Sequence, residues 1–247
     1  FCSSRRRTTR SHCAGVQTCA LPIFIDFTPE IAEAALELAK EFVLGPIFTP
    51  PIVRGSNEKR STFVVPGAGG GANFPSATVD PETNILYIPS ATRPHGMSLV
   101  EPPEGSPYWS YVIQMHRQVG PFGLPLLKPP YRRITAIDLD TGEHVWQIPF
   151  DKGPANHPML EHLNLPPMGS LYTDVVAEGG ILITKTLLIS YLAQKDEIDP
   201  DAHGSILVAH DKMTGELMGE VMVDQRLHGP PMSYMRSEEH TSELQSQ

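Results

Sequence analysis

An all-β fold with one short peripheral helix is predicted by three features of this 247-residue sequence. It carries 25 prolines and 20 glycines. Its apolar residues fall in short β-branched runs bounded by turn signals. A hairpin-sized segment, 136–146, recurs at 209–219. That much Pro and Gly disfavours a helical bundle, and short runs between Gly, Asn and Asp clusters read as strands.

The helix comes first. Thr28 is a good N-cap, Pro29 fits the first helical position and Glu30 suits the positive end of the helix dipole. Ile31, Ala35, Leu38 and Phe42 share one face at helical spacing, and Gly45 is placed to end the helix in the left-handed region. The prolines of GPIFTPP (45–51) stop any continuation. Downstream, Ala77–Val79 and Ile85–Ile88 flank the turn DPETN. Arg133–Asp138 and Glu143–Phe150 flank LDTG, and Ser205–His210 and Glu216–Val223 flank KMTG. Gly180–Thr184 and Thr186–Ile189 are further strand candidates. Segments 90–130 and 151–170, rich in Pro, read as long loops.

The repeat compares AIDLDTGEHVW (136–146) with AHDKMTGELMG (209–219), both of the form A-x-D-x-x-T-G-E; DPETN (80–84) is a third, weaker copy. Asp and Thr side chains bond turn amides, and Gly or Asn takes positive φ, so each copy predicts a strand, a tight turn and a returning strand.

The two ends differ from the middle. Residues 1–23 hold all three cysteines and four arginines without an acid, and 236–247 are polar without apolar periodicity. Both resemble translated sequencing-adapter sequence, GVQTCALPI and RSEEHTSELQS most closely. The interruptions at His12, Gln17 and Thr18 leave no apolar stretch suited to a signal peptide. The expected organisation is therefore an adapter-like segment 1–23, a body 24–235 and a second adapter-like segment 236–247. Five of the arginines and three of the glutamates lie in those ends, so the body is more acidic than the whole chain, whose formal charge is −9. An acidic surface argues against a nucleic-acid partner. A body without cysteine carries no thiolate chemistry and suits the periplasm. No apolar run approaches the roughly 18 residues that span a bilayer.

The pattern ending in Trp146 resembles the tryptophan docking motif of the pyrroloquinoline-quinone (PQQ) dependent dehydrogenases. There the indole packs between neighbouring blades of a β-propeller; in the second copy Gly219 stands where Trp is expected. GPIFTPP (45–51), PGAGGGANFPSATVDPETNILYIPS (66–90), GPFGLPLLKPPYRRITAIDLDTGEHVWQIP (120–149), SILVAHDKMTGELMGEVMV (205–223) and GPPMSYM (229–235) resemble the membrane-bound glucose dehydrogenase branch, in the same order. The resemblance covers most of 27–235. It implies about two to three blades of an eight-bladed propeller, taken from the C-terminal half, with PQQ and Ca²⁺ on the axis of the complete ring. It also implies a periplasmic, membrane-associated parent that oxidises a sugar or alcohol and passes electrons to membrane quinone or a cytochrome. The base and most Ca²⁺ ligands are expected in the part not present here, so no catalytic or metal residue is assigned and the chain alone is expected to be inactive. The alternative is a non-catalytic propeller scaffold.

One cofactor contact is assigned by the resemblance. The family's G-G-x-N-W aligns with Gly70, Gly71, Ala72, Asn73 and Phe74, with Phe74 departing from Trp. The Asn73 amide would donate to a quinone carbonyl, while Gly70 and Gly71 let the backbone come close. A dinucleotide loop is set aside because a hairpin, not a βαβ unit, follows GAGGGANF. His157, His162, His203 and His210 show no tight ligand spacing and read as loop or surface residues. DEIDPDAH (196–203) lacks the spacing of an EF-hand loop and reads as solvated.

Overall fold

A computed structural model describes residues 23–46, 48–72, 77–107, 110–117, 120–169, 180–195, 203–225, 227 and 231–233. Along the chain run α1 (Pro29–Ala39), β1 (Phe42–Val43), β2 (Ile52–Val53), β3 (Ser61–Val64), β4 (Thr78–Asp80), β5 (Ile85–Ala91), β6 (His95–Val100), β7 (Val112–Arg117), β8 (Arg132–Asp138), β9 (His144–Pro149), β10 (Leu182–Ile183), β11 (Leu187–Lys195), β12 (His203–Asp211) and β13 (Leu217–Val223). The chain divides into two compact units, 1–68 with 94–128, and 69–93 with 129–247. The adapter-like stretches lie outside the described residues except for Ile23.

In the first unit, α1 begins as its sequence dictates: Thr28 accepts a hydrogen bond from the Ile31 N–H at 3.2 Å, and Pro29 occupies the first turn. The helix buries Ile31, Ala35 and Ala39. Its end differs from expectation. The helix stops at Ala39 with Lys40 right-handed, Phe42 already belongs to β1, and Gly45 caps nothing. A Cβ at Gly45 would meet the Thr49 hydroxyl at 2.2 Å, so this glycine allows a close turn instead. The loop expected over 90–130 contains β6 and β7, which pair antiparallel from His95↔Arg117 to Val100↔Val112. On its other side β6 meets β3 antiparallel and β2 parallel, and β1 extends β3 in parallel. The residues β6 buries are Gly96 and Ser98, so no apolar alternation announces the strand. Phe24, Ile25, Phe42, Leu124, Leu126 and Leu127 fill this unit's core, with Phe63 packed against Phe42 at 5.7 Å between ring centres.

The second unit holds two four-stranded antiparallel meanders, β4-β5-β8-β9 and β10-β11-β12-β13. Here the sequence periodicity speaks: β5 buries Ile85, Tyr87, Pro89 and Ala91 in strict alternation. Ile85, Tyr87, Ile134 and Ala136 of the first sheet, with Phe150 just after β9, form one core with Leu188 and Val208 of the second and Ile181 just before β10. Burying such a side chain contributes about 1.5–3 kcal/mol, so this apolar contact dominates the cohesion of the unit.

The repeated turns share one construction. The Asp138 carboxylate accepts the amides of Asp140 and Thr141 at 2.8 and 3.1 Å; the Asp211 carboxylate accepts those of Met213 and Thr214 at 2.8 and 2.9 Å. Gly142 and Gly215 then take φ of 74° and 76°, a region that disfavours residues with a Cβ. Both sheets also shift register at the same place, between Ala136 and Ile137 and between Ala209 and His210. These two copies join the third strand of a meander to the fourth. The DPETN turn is built alike, with Asp80 accepting the Glu82 amide at 3.1 Å and Asn84 at φ 55°, but it joins β4 to β5. It is the same turn at a different place in the sheet.

His210 corrects the expectation of a surface histidine. It lies in β12, 6% exposed, with its ring 6.5 Å from Phe150, and its Nδ1 has no hydrogen-bond partner among the described residues. Burial holds its pKa below the ordinary value, with the Glu220 carboxylate opposing. The unfolded chain takes up a proton here near pH ~6.5, before the folded protein does. The stabilising contribution of the neutral ring is therefore fully present above that pH and is lost as pH falls toward the depressed folded pKa. Urea midpoints measured from pH 7.5 to 5.5 are expected to fall, and His210→Leu to flatten that slope. An unchanged slope in the variant refutes the assignment.

Candidate functional site

The site end of the first meander is set by register. Ala91 pairs with Arg132 and Arg133 with Pro149, so the end of β5, the start of β8 and the end of β9 meet. The glycine-rich segment joins them there, because the Gly71 carbonyl accepts the Ala91 N–H at 2.7 Å. Gly70 sits at φ 71°, where a side chain would be strained. The structure thus places two of the three expected cofactor-contact residues, Gly70 and Gly71, at this end. Asn73 and Phe74 lie outside the described residues.

Charge gathers at the same end. Arg132 is 3% exposed, and its guanidinium lies 5.2 Å from the centre of the Phe150 ring. Burial, and secondarily the Arg93 guanidinium, push its pKa down to about 10, with Asp151 opposing; it remains charged at neutral pH. Arg133 reaches back to Thr92 Oγ1 and to the Pro130 carbonyl, both at 2.9 Å, and fixes the strand ends. The 151–169 segment is laced onto them: Tyr131 donates its amide to the Met168 carbonyl at 2.8 Å, and Gly169 donates to Asp151 at 2.9 Å. Gly169 has φ 77°, and a Cβ there would meet the Arg132 carbonyl at 2.1 Å. Reading the sequence missed this arginine pair. The signal was an adjacent pair of arginines opening an otherwise apolar strand.

The opposite end is structural. The Trp146 ring lies on Gly215, whose Cβ, if present, would come 3.0 Å from the indole and from Ile148. The indole N–H donates to the Lys212 carbonyl at 3.2 Å, and the Tyr87 hydroxyl donates to the same oxygen at 3.0 Å. Trp146 is partly buried and packs against the core shared by the two sheets. Its outer side belongs to β9, the last strand of its sheet. Beneath it Lys212 Nζ contacts Asp80 Oδ2 at 2.7 Å, with the two side chains 6% and 3% exposed. Burial first, then the nearby Asp80 carboxylate, push the Tyr87 phenol up to about 12, so it stays a donor. In the second copy Gly219 faces open space on β13, where Leu217, Val221 and Met222 are 52%, 62% and 65% exposed.

A family model described as "PQQ: Glucose/ethanol/alcohol dehydrogenase, beta-propeller domain" matches residues 13–241. The chain belongs to this quinoprotein family. Among its relatives are a probable quinate dehydrogenase (quinone) of Xanthomonas campestris pv. juglandis, 27% identical, and a quinate/shikimate dehydrogenase (quinone) of Acinetobacter baylyi, 24% identical. Each alignment covers 69% of this chain and 22% of the relative. The glycerol dehydrogenase large subunit of Gluconobacter thailandicus is 27% identical over 76% of this chain and 27% of its own length. The quinoprotein chain thus spans about a quarter of the length of these curated relatives.

The residues at the strand ends fit a PQQ-like group in chemistry. PQQ is a planar polycarboxylate; the guanidinium of Arg132, on the residue paired with Ala91, is the kind of charge such an anion would need, and the glycines would let it come close to the backbone. Ca²⁺ is a different case. No group of three or more His, Cys, Asp or Glu side chains converges among the described residues, so no step is assigned to a metal. No described helix is long and apolar enough to cross a membrane.

Proposed function

We propose that the quinoprotein chain is part of a PQQ-dependent dehydrogenase that oxidises a hydroxyl of a sugar, polyol or other alcohol and passes the electrons to membrane quinone or a cytochrome, at the periplasmic face. The two meanders would be blades of a closed ring of eight, and the exposed face of β13 would receive the next blade. The single observation that carries the reading is the bond that joins the glycine-rich segment to Ala91, the cross-strand partner of the buried Arg132, in a chain of this family.

Bound PQQ supplies two-electron oxidation of an alcohol to a carbonyl. The chain's own part is to hold and orient. Gly70 and Gly71 would bring backbone close, Arg132 with Arg93 would balance carboxylate charge, and the Asn73 amide would donate to a quinone carbonyl. The glucose branch, the quinate relatives and the glycerol relatives together set the range of substrates to try.

The test is dye reduction by the full-length parent, with and without PQQ and Ca²⁺, across glucose, quinate, shikimate, glycerol and ethanol. PQQ-dependent turnover is expected on this panel, and none from the 247-residue chain alone. Asn73→Ala is expected to lower kcat/KM about 10- to 150-fold, the equivalent of about 1.5–3 kcal/mol for a hydrogen bond to a charged group. Turnover by the chain alone would mean the active site is misplaced. A parent that neither turns over nor binds PQQ would favour a scaffold instead.

A further inference from the structure

We infer that Lys212 is a positioning residue for the cofactor-facing segment, an inference that rests on the PQQ reading above. Lys212 sits on the β12–β13 turn, yet it holds three strands of the other sheet. Its carbonyl accepts from Tyr87 of β5 and Trp146 of β9, and its ammonium reaches Asp80 at the end of β4. Its own amide is tied to the Thr186 carbonyl at 3.0 Å, so the clamp itself is fixed within the second sheet.

β4 is the strand that needs such a clamp. It has three residues, lies at the edge of its sheet and pairs with β5 alone, from Thr78↔Tyr87 to Asp80↔Ile85. It is also the strand into which the chain passes after Gly70 and Gly71. Three donors hold the Asp80 carboxylate: Oδ1 takes the Glu82 amide, and Oδ2 takes the Thr83 hydroxyl at 2.8 Å as well as Lys212. The ammonium therefore meets a carboxylate whose orientation is already set. A buried ion pair seldom adds more stability than an apolar pair of similar volume. What it adds is direction, because it fixes one oxygen against one nitrogen. Here that fixes the far end of β4 against the second sheet, while the Gly71–Ala91 bond fixes the segment that precedes it.

The experiment is a titration of the full-length apoprotein with PQQ, at a temperature where every variant is folded by circular dichroism. Lys212→Met is expected to raise the PQQ Kd roughly tenfold, with kcat at saturating PQQ held within about twofold. Lys212→Arg is expected to restore most of the affinity. Val208→Ala, a truncation in the apolar core, is expected to lower stability and leave the Kd where it was. Should Lys212→Met not fold, Asp80→Asn carries the same test, since it keeps an acceptor for the turn and removes the charge. An unchanged Kd in Lys212→Met or Asp80→Asn, with stability alone reduced, overturns the inference and leaves the lysine a structural staple. A wild-type parent that binds no PQQ removes the cofactor reading instead, and this inference with it.

Discussion

Trp146→Ala is expected to destabilise the protein by about 2–4 kcal/mol, below the top of the range for fully buried aromatics because the ring is only half-buried. The cost has separable parts. The larger is loss of the ring's contact with Gly215, Ile148 and Tyr87, whose ring centre lies 5.7 Å away. The smaller is the indole hydrogen bond to Lys212, about 1 kcal/mol, since the same carbonyl keeps its bond from Tyr87. Trp146→Phe retains most of the first part and is expected to recover more than half the loss. Gly215→Ala probes the seat. It costs about 1–2 kcal/mol for a left-handed residue plus a clash with the indole, and the clash disappears when Trp146 is already Ala. Urea denaturation of the four proteins of this cycle measures the coupling directly. Additive losses would show that the ring does not rest on the glycine.

What the sequence disclosed follows from where the physics is local. The A-x-D-x-x-T-G turns are specified by Asp side chains bonding amides two and three residues ahead and by a glycine at positive φ, so two copies announce themselves without tertiary knowledge. The start of α1 is equally local, a Thr cap followed by Pro. The end of α1 is not: nothing at Lys40 marks it, and Gly45 misled because its role is the approach of Thr49. β6 and β7 stayed hidden because β6 buries Gly96 and Ser98, while Ile113 and Met115 of β7 are 53% and 50% exposed. Their pairing is long-range and their pattern is not apolar alternation. At the candidate site, the glycines were legible from the family resemblance. Arg132 was not, because a charged residue at the start of a strand looks solvated until Phe150 and the 151–169 segment fold over it. Asp80 and Lys212 stand 132 residues apart and read, in sequence, as two ordinary turn residues.

Lys212→Met is expected to cost about 2–3 kcal/mol of stability. Removing one partner of a buried pair leaves a desolvated charge and typically costs about 3–5 kcal/mol. The pair here is occluded but lies at the turn end of the sheets, where solvent is near and screening lowers the figure. The carboxylate left behind is not wholly abandoned, since the Glu82 amide and the Thr83 hydroxyl still bond it. In the intact protein the Lys212 ammonium, more than any other group, holds the Asp80 carboxyl below its ordinary pKa. The linked pH dependence has one sign. This stabilisation is present above the unfolded carboxyl's pKa near ~3.9 and is lost as pH falls through the depressed folded value. Asp80→Asn combined with Lys212→Met removes both charges and is expected to be more stable than Lys212→Met alone, because no ion remains buried. Urea midpoints at pH 7 for wild type, each single variant and the double variant decide it. If the double variant is less stable than Lys212→Met by the full cost of Asp80→Asn alone, the two groups do not interact. The ion pair would then contribute nothing to the junction between the sheets, whose strength would rest on the apolar core and the Trp146 seat alone.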